Sequence, residues 1–82
     1  MFQIIWDQRA VFDLDKFDSS IARRIVKKVK DMQTDPFHCD VRRLQGSSDF
    51  RLRVGDYRVI FSIEGKIITI LKIGHRKNIY DR

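Results

Sequence analysis

The sequence predicts an α+β fold, β-α-α-β-β-β, in which a two-helix hairpin packs on one face of a mostly antiparallel sheet. Three observations indicate it: a short apolar segment at the N-terminus, apolar residues at helical spacing between residues 10 and 32, and period-two alternation after residue 50. With 82 residues, 43% of them apolar, and only four glycines and one proline, we expect one folded domain spanning residues 1–82.

The first third of the chain predicts a strand and a helical hairpin. Phe2–Trp6 is a short apolar strand, and Asp7 is placed to cap a helix that runs to about Phe17. Asp18 or Ser19 caps a second helix, which ends at Thr34-Asp35-Pro36. The apolar positions are Ala10, Val11, Leu14 and Phe17 in the first helix, and Ile21, Ala22, Ile25, Val26, Val29 and Met32 in the second. We assign two polar groups to solvent-facing sides, Asp13 and Asp15 on the first helix and Arg23, Arg24, Lys27, Lys28 and Lys30 on the second.

Residues 42–74 predict the rest of the sheet. We place Leu44 in a short extension and residues 46–49 in a turn, followed by strands at about 50–54, 57–63 and 66–73. A turn at Glu64-Gly65 then pairs Phe61 with Ile68 and Val59 with Ile70. The last strand is apolar on both faces, so we expect the N-terminal strand beside it.

The hairpin around Gly55-Asp56 collects arginines on one face. A two-residue loop sets Val54 opposite Tyr57 and Arg53 opposite Arg58, and Arg51 shares the face of Arg53. Directly opposed like charges are destabilising, by about 0.2–1 kcal/mol per pair. The pattern therefore indicates either an anion-binding face or a solvated strand face, and it does not decide between them.

The net charge of +6 lies in the C-terminal half. Residues 1–41 hold seven basic and seven acidic side chains, whereas residues 42–82 hold ten and four. Such a basic surface suits phosphate backbones, with acidic proteins and anionic membranes as competing partners. No basic amphipathic helix with a bulky free apolar face is predicted, which makes membranes the weakest of these. With no membrane span or signal peptide, and a lone Cys39, we expect a cytoplasmic protein.

The segment from Gly74 to Arg82 adds candidate site residues. His75, Arg76, Lys77 and Tyr80 combine basic groups with a ring that can stack on a base. A frayed tail with Tyr80 packed on the sheet edge is the alternative. If side chains alternate between the two faces without interruption after Leu71, His75 points to the arginine face and Arg76 away from it. A bulge at Gly74 would reverse this. The sequence leaves both orientations open.

Three motifs carry a family resemblance: Arg42-Arg-Leu-Gln-Gly46, the hairpin from Arg51 to Phe61, and Gly74-His-Arg-Lys-Asn-Ile-Tyr80. Over essentially all 82 residues the chain resembles toxins of the RelE/ParE superfamily, nearer its RelE members. The resemblance implies a toxin that cleaves messenger RNA, typically in the ribosomal A site, without metal or cofactor. It also implies a cognate RelB-like antitoxin, which we expect to be acidic and partly disordered when free.

The resemblance also implies roles for individual residues. Arg51 and Arg53 match two basic active-site positions, and Arg58 matches an arginine that stabilises the transition state. Arg76 matches a catalytic arginine and Tyr80 a tyrosine that stacks on or orients a base. RNA contacts are expected from these five and from His75 and Lys77.

The chemistry of RNA cleavage divides these roles. When a 2′-hydroxyl attacks its adjacent phosphate, the enzyme must stabilise the phosphorane, take up the 2′ proton and assist the leaving 5′-oxygen. Arginine is a poor base because its pKa exceeds about 12. We therefore expect Arg51, Arg53 and Arg58 to clamp the phosphate, with Arg76 or His75 handling protons.

Two alternatives remain. One is a ParE-like toxin that inhibits DNA gyrase. The other is an inactive relative that only binds RNA or antitoxin.

Overall fold

A computed structural model describes residues 1–79 and confirms the α+β class. Its helices are α1 (Gln8–Leu14) and α2 (Ser19–Asp31), followed by a single 3₁₀ turn at Pro36–His38. Its strands are β1 (Gln3–Trp6), β2 (Val41–Arg43), β3 (Phe50–Val54), β4 (Tyr57–Glu64) and β5 (Ile67–His75). The strand order is β1-β5-β4-β3-β2, and only the β1–β5 pair within the described residues is parallel. The N-terminal strand thus lies beside the last strand, as predicted.

Helix α1 begins where the sequence predicted and ends earlier. The Asp7 side chain accepts a hydrogen bond from the backbone N–H of Arg9 at 2.9 Å, which caps the helix. The prediction that the helix reaches Phe17 was wrong. The N–H of Phe17 bonds the carbonyl of Leu14, three residues back, so the chain tightens into a turn after Leu14.

Two further predictions for α1 were wrong. Val11 is 42% exposed, because α1 packs through Ala10 against the core. Asp13 does not simply face solvent, since its Oδ2 accepts a hydrogen bond of 3.0 Å from the N–H of Ile73. Because β1 pairs with β5 only as far as Ile70, this carboxylate serves a strand N–H beyond the end of that pairing.

Helix α2 follows its predicted apolar stripe. Ile25, Val29 and Met32 are completely buried against the sheet. The basic residues of the helix are all exposed. Asp18 is the cap residue, and its side chain makes no capping hydrogen bond.

The β3–β4 hairpin has the register that the sequence predicted. Arg53 is opposite Arg58 and Val54 is opposite Tyr57, across the loop Gly55-Asp56. Gly55 has a φ of +57°, a conformation that glycine adopts at little cost. A fifth strand, β2, extends the sheet beyond β3 and was not predicted as a strand.

The predicted β4–β5 register was wrong by two residues. Phe61 pairs with Ile70 and Ile63 with Ile68, because the loop is Gly65-Lys66 and Gly65 takes its first position with a φ of +59°. As far as Ile70, this shift of two residues keeps each side chain on its predicted face, whereas Val59, predicted opposite Ile70, pairs with Ile73. The helix-facing side therefore still holds the core around Phe61.

A bulge interrupts the same strand pair. The partners step from Phe61 with Ile70 to Ile60 with Lys72, which leaves Leu71 as the extra residue. The phase of β5 reverses at this point. Ile73 and His75 consequently face the helices.

The face opposite the helices carries a small apolar cluster beside the arginines. Leu44, Ile60 and Ile79 are buried there, with Leu71 packed against them. The chain turns back after β5, and Ile79 lies against Gly74, where an added Cβ would be 3.4 Å from the Cβ of Ile79. Neither helix described by the structure is long and apolar enough to cross a membrane.

Candidate functional site

Strand register places basic residues in two rows on the sheet face opposite the helices. In the first row, Arg51 lies between Arg42 of β2 and Ile60 of β4, and Ile60 pairs with Lys72 of β5. In the second row, Arg53 pairs with Arg58, and Arg58 with Gly74. The structure thus brings the three predicted hairpin arginines, Arg51, Arg53 and Arg58, onto one face.

Asp40 holds Arg53 in place. The Nε of Arg53 donates to Oδ2 of Asp40 at 2.7 Å, and the backbone N–H of Arg53 donates to the carbonyl of Asp40 at 2.9 Å. A guanidinium has five N–H donors, so a contact through Nε is compatible with a bidentate phosphate contact through the other nitrogens. Asp40 therefore orients Arg53 without occupying all of its donors.

Arg58 is held by backbone carbonyls of its own hairpin. Its Nη1 donates to the carbonyl of Gly55 at 2.8 Å and to that of Tyr57 at 2.9 Å. Desolvation by burial is the largest cause lowering the pKa of the Arg58 guanidinium. Neighbouring positive charges lower this pKa further, those of Arg51, Arg53 and Arg76. A phosphate bound among these groups would relieve that repulsion.

Arg76 belongs to the C-terminal segment and lies beside the β3–β4 hairpin loop. Its backbone N–H donates to the carbonyl of Asp56 at 2.8 Å, and its Nε lies 3.5 Å from Oδ1 of Asp56. The chain turns immediately afterwards, because the N–H groups of Asn78 and Ile79 both donate to the carbonyl of His75. The hairpin loop and this turn together fix the position of Arg76.

The cleft beside the hairpin is open and has a volume of about 1280 Å³. Arg53, Arg58 and Arg76 line it from the sheet side, and Arg24 and Lys28 line it from α2. Guanidinium groups from several elements in one cleft suit a phosphate that gains negative charge during a reaction. The arrangement can bind and stabilise a phosphorane.

His75 lies on the other face of the sheet. It pairs with Tyr57, and the two rings meet edge to face with centroids 5.4 Å apart. Its Nδ1 accepts a hydrogen bond of 3.1 Å from the N–H of Lys77, whose own side chain is exposed. Of the two orientations left open by the sequence, the structure shows the one with His75 away from the arginines, and the bulge is at Leu71 and not at Gly74. Tyr80 lies outside the described residues.

Besides Arg24 and Lys28 of α2, four residues near the site were missed from the sequence. Arg42 and Lys72 extend the row of Arg51, whereas Asp40 and Asp56 pair with site arginines. Arg42 belongs to a motif that the sequence did single out, but its position depends on the β2–β3 register. For Asp40, thirteen residues before its partner, no sequence pattern indicated the pairing.

Comparisons with known proteins agree with this fold. A sequence model of the family described as ParE toxin of type II toxin–antitoxin system, parDE, matches residues 4–80. Toxin RelE3 of Methanocaldococcus jannaschii is 27% identical over 84 residues, covering 96% of each chain.

Two solved structures have the same architecture. One is an archaeal RelE–RelB complex from Pyrococcus horikoshii, with a TM-score of 0.79, 28% identity, and 95% of this chain and 98% of that chain covered. The other is a chromosomal ParDE system from P. aeruginosa, with a TM-score of 0.78, 22% identity, and 92% and 96% covered. The chain therefore belongs to the ParE toxin family of type II toxin–antitoxin systems, within the RelE/ParE superfamily.

Proposed function

We propose that this toxin is a messenger RNA endoribonuclease that inhibits translation by cutting transcripts, typically on the ribosome. The observation that carries the proposal is the convergence of Arg53, Arg58 and Arg76 on one cleft, with Arg51 on the same face. These side chains come from two strands and the C-terminal segment. The cross-strand pair of Arg53 and Arg58 destabilises the hairpin through like-charge repulsion, and a bound phosphate would offset this repulsion.

In the proposed reaction, the 2′-hydroxyl of the substrate gives its proton to water and attacks its adjacent phosphate, and the bond from that phosphorus to the 5′-oxygen of the next nucleotide breaks. Arg58, fixed by two carbonyls, donates to the non-bridging oxygens of the phosphorane, and Arg53 supplies a second set of donors. Arg51 contributes positive charge from the neighbouring row. Cleavage yields a 2′,3′-cyclic phosphate on the upstream fragment and a 5′-hydroxyl on the downstream fragment.

Arg76 donates a proton to the leaving 5′-oxygen. Of the two candidates that the sequence left, Arg76 lines the cleft with Arg58, whereas His75 faces the helices. The Asp56 carboxylate, 3.5 Å from the Nε of Arg76, holds that guanidinium at the hairpin loop. Tyr80 keeps its proposed role in stacking on or orienting a base, and Lys77 its proposed contact with RNA.

A cognate RelB-like antitoxin is the proposed protein partner. The Pyrococcus horikoshii relative was solved as a RelE–RelB complex, which supports an antitoxin for this chain. A net charge of +6 favours an acidic partner, and an acidic segment over the arginine face would block RNA. The proposed site of action is the cytoplasm, with no membrane partner.

Expression of the chain in cells tests the proposal through the 5′ ends of cellular transcripts. Wild-type chain should arrest growth and produce cuts positioned by codon. Arg58→Ala and Arg76→Ala should each reduce cutting by about 100-fold or more, because each removes a preorganised donor. Arg23→Ala, on an exposed part of α2, is the control with the same charge loss and should cut normally.

Inhibition of DNA gyrase is the second candidate function. The observations that favour it are the match to the ParE family model and the fold shared with the P. aeruginosa ParDE system. In that case the same expression experiment gives growth arrest and DNA damage with intact transcripts. Growth without arrest would instead indicate an inactive relative that only binds its partners.

A further inference from the structure

The basic residues of α2 divide between two surfaces. Arg24 and Lys28 line the cleft that contains Arg53, Arg58 and Arg76. Arg23, Lys27 and Lys30 line a separate groove with Ala22 and Val26. Arg24 and Lys28 are one helical turn apart, so they share a side of the helix. Two of the five basic residues that the sequence assigned to solvent therefore line the cleft of the candidate site.

Arg24 lies directly against the hairpin loop. A Cβ added at Gly55 would be 3.2 Å from Nη2 of Arg24 and 3.9 Å from its Cζ. The carbonyl of the same glycine accepts the hydrogen bond from Arg58, and the next residue, Asp56, pairs with Arg76. The loop Gly55-Asp56 thus gathers guanidinium groups from α2, from β4 and from the C-terminal segment.

The charges within the cleft limit the size of the positive region on the α2 side. Asp31, three residues after Lys28, also lines the cleft, as does Asp35. Positive charge on this side is therefore limited to Arg24, beside the hairpin loop, and Lys28, one turn further along α2 and close to both aspartates. A region of two cations suits one phosphate group.

We propose that Arg24 and Lys28 form a second phosphate subsite, which binds the phosphate of a nucleotide neighbouring the scissile one on the same RNA strand. The inference rests on the proposed endoribonuclease function and deepens it. The strand passes over the loop Gly55-Asp56, from the arginines of the sheet to α2. Glycine at position 55 leaves the space that Arg24 occupies beside that path.

The test measures whether removing the charges of Arg24 and Lys28 changes the effect of neutralising one phosphate of the substrate. Messenger RNAs carrying one uncharged methylphosphonate at successive positions around the cut are presented on programmed ribosomes to wild-type chain, Arg24→Ala/Lys28→Ala and Arg23→Ala/Lys27→Ala. For wild-type chain, neutralising the contacted neighbouring phosphate should slow cleavage about tenfold. The same neutralisation should slow Arg24→Ala/Lys28→Ala less than about twofold, because the partner charges are already gone.

The second double variant is the matched control, since it removes the same net charge from the same helix. It should keep the full tenfold response to the neutral phosphate. Thermal unfolding of both variants, which alter exposed side chains, checks that each remains folded.

The outcomes of this test separate the inference from the proposed function. The subsite would be overturned if neutralising a phosphate slowed both double variants equally. It would also be overturned if no single neutral phosphate slowed wild-type chain more than Arg24→Ala/Lys28→Ala. Slower cleavage by Arg24→Ala/Lys28→Ala without coupling to any substrate phosphate would also overturn it and would point to ribosomal RNA as the partner of α2. If wild-type chain cuts none of the unmodified transcripts, the endoribonuclease proposal itself fails.

Discussion

Removal of Asp40 should damage RNA cleavage much more than folding. The Asp40 carboxylate contacts the Nε of Arg53 at 2.7 Å, but the two side chains are 47% and 58% exposed. An exposed ion pair contributes about 0.2–1 kcal/mol to stability. For a domain of this size, 1 kcal/mol lowers the melting temperature by about 4–8 °C. Asp40→Ala should therefore remain folded, with a melting temperature lowered by at most that amount.

The expected loss of activity follows from the orientation of Arg53. Deleting a preorganised donor reduces kcat by about 100- to 1000-fold. Asp40→Ala keeps the guanidinium but lets it rotate, so we expect kcat to fall by about tenfold, with a smaller change in KM. Asp40→Asn keeps an oxygen that can accept from Nε and should lose less than Asp40→Ala. Cleavage kinetics on programmed ribosomes give both constants.

Glu64→Ala is the matched control for Asp40→Ala. It removes one exposed negative charge at the β4–β5 hairpin and should leave kcat unchanged. The positioning role of Asp40 would be refuted if Asp40→Ala and Glu64→Ala had the same kcat. It would also be refuted if Asp40→Asn were slower than Asp40→Ala.

The remaining predictions concern stability and thiol reactivity. Phe61→Ala should cost about 3–5 kcal/mol in urea unfolding, because Phe61 is completely buried; a loss below 1 kcal/mol would contradict this packing. Gly55→Ala and Gly65→Ala should each cost about 1–3 kcal/mol in urea unfolding, because both glycines have positive φ and the exposed Arg24 guanidinium can move away from a methyl at position 55; no loss at either position would contradict this backbone conformation. Burial raises the pKa of the Cys39 thiol, so its alkylation should need a higher pH in the folded chain than in urea, whereas identical pH profiles would contradict this burial.

The features that the sequence predicted correctly are those fixed by local pattern. Period-two alternation around Gly55-Asp56 determines the register of Arg53 and Arg58, since any one-residue slip would expose the apolar face. The buried stripe of α2 follows from helical spacing in the same way. Both signals lie within a single element or a single tight turn.

The errors in the sheet arose where two arrangements satisfy the same pattern. Loops at Glu64-Gly65 and Gly65-Lys66 both leave Phe61 facing the helices, so alternation does not distinguish their registers. The bulge at Leu71 reverses the phase of β5 in a run that is apolar on both faces. The sequence left the orientation of His75 open because a bulge at Gly74 was possible, and the bulge is instead at Leu71.

The missing parts of the site depend on tertiary pairing. Strand β2 has three residues, two of them arginines, and is defined by its hydrogen bonds to β3 more than by its own composition. Only that pairing brings Asp40 to Arg53 and Arg42 to Arg51. The assignment of Arg24 to a solvent-facing side was correct about its exposure and missed its contact with the hairpin loop.

The chemistry of the cut RNA ends tests the proposed mechanism most directly. Purified chain is incubated with programmed ribosomes, and mass spectrometry identifies the 3′ end of the upstream fragment. Attack by the 2′-hydroxyl, stabilised by Arg53 and Arg58, predicts a 2′,3′-cyclic phosphate or the 3′-phosphate formed by its hydrolysis, and Arg58→Ala should yield about 100-fold less of either. A 3′-hydroxyl on the upstream fragment, with a 5′-phosphate on the downstream one, would contradict the mechanism.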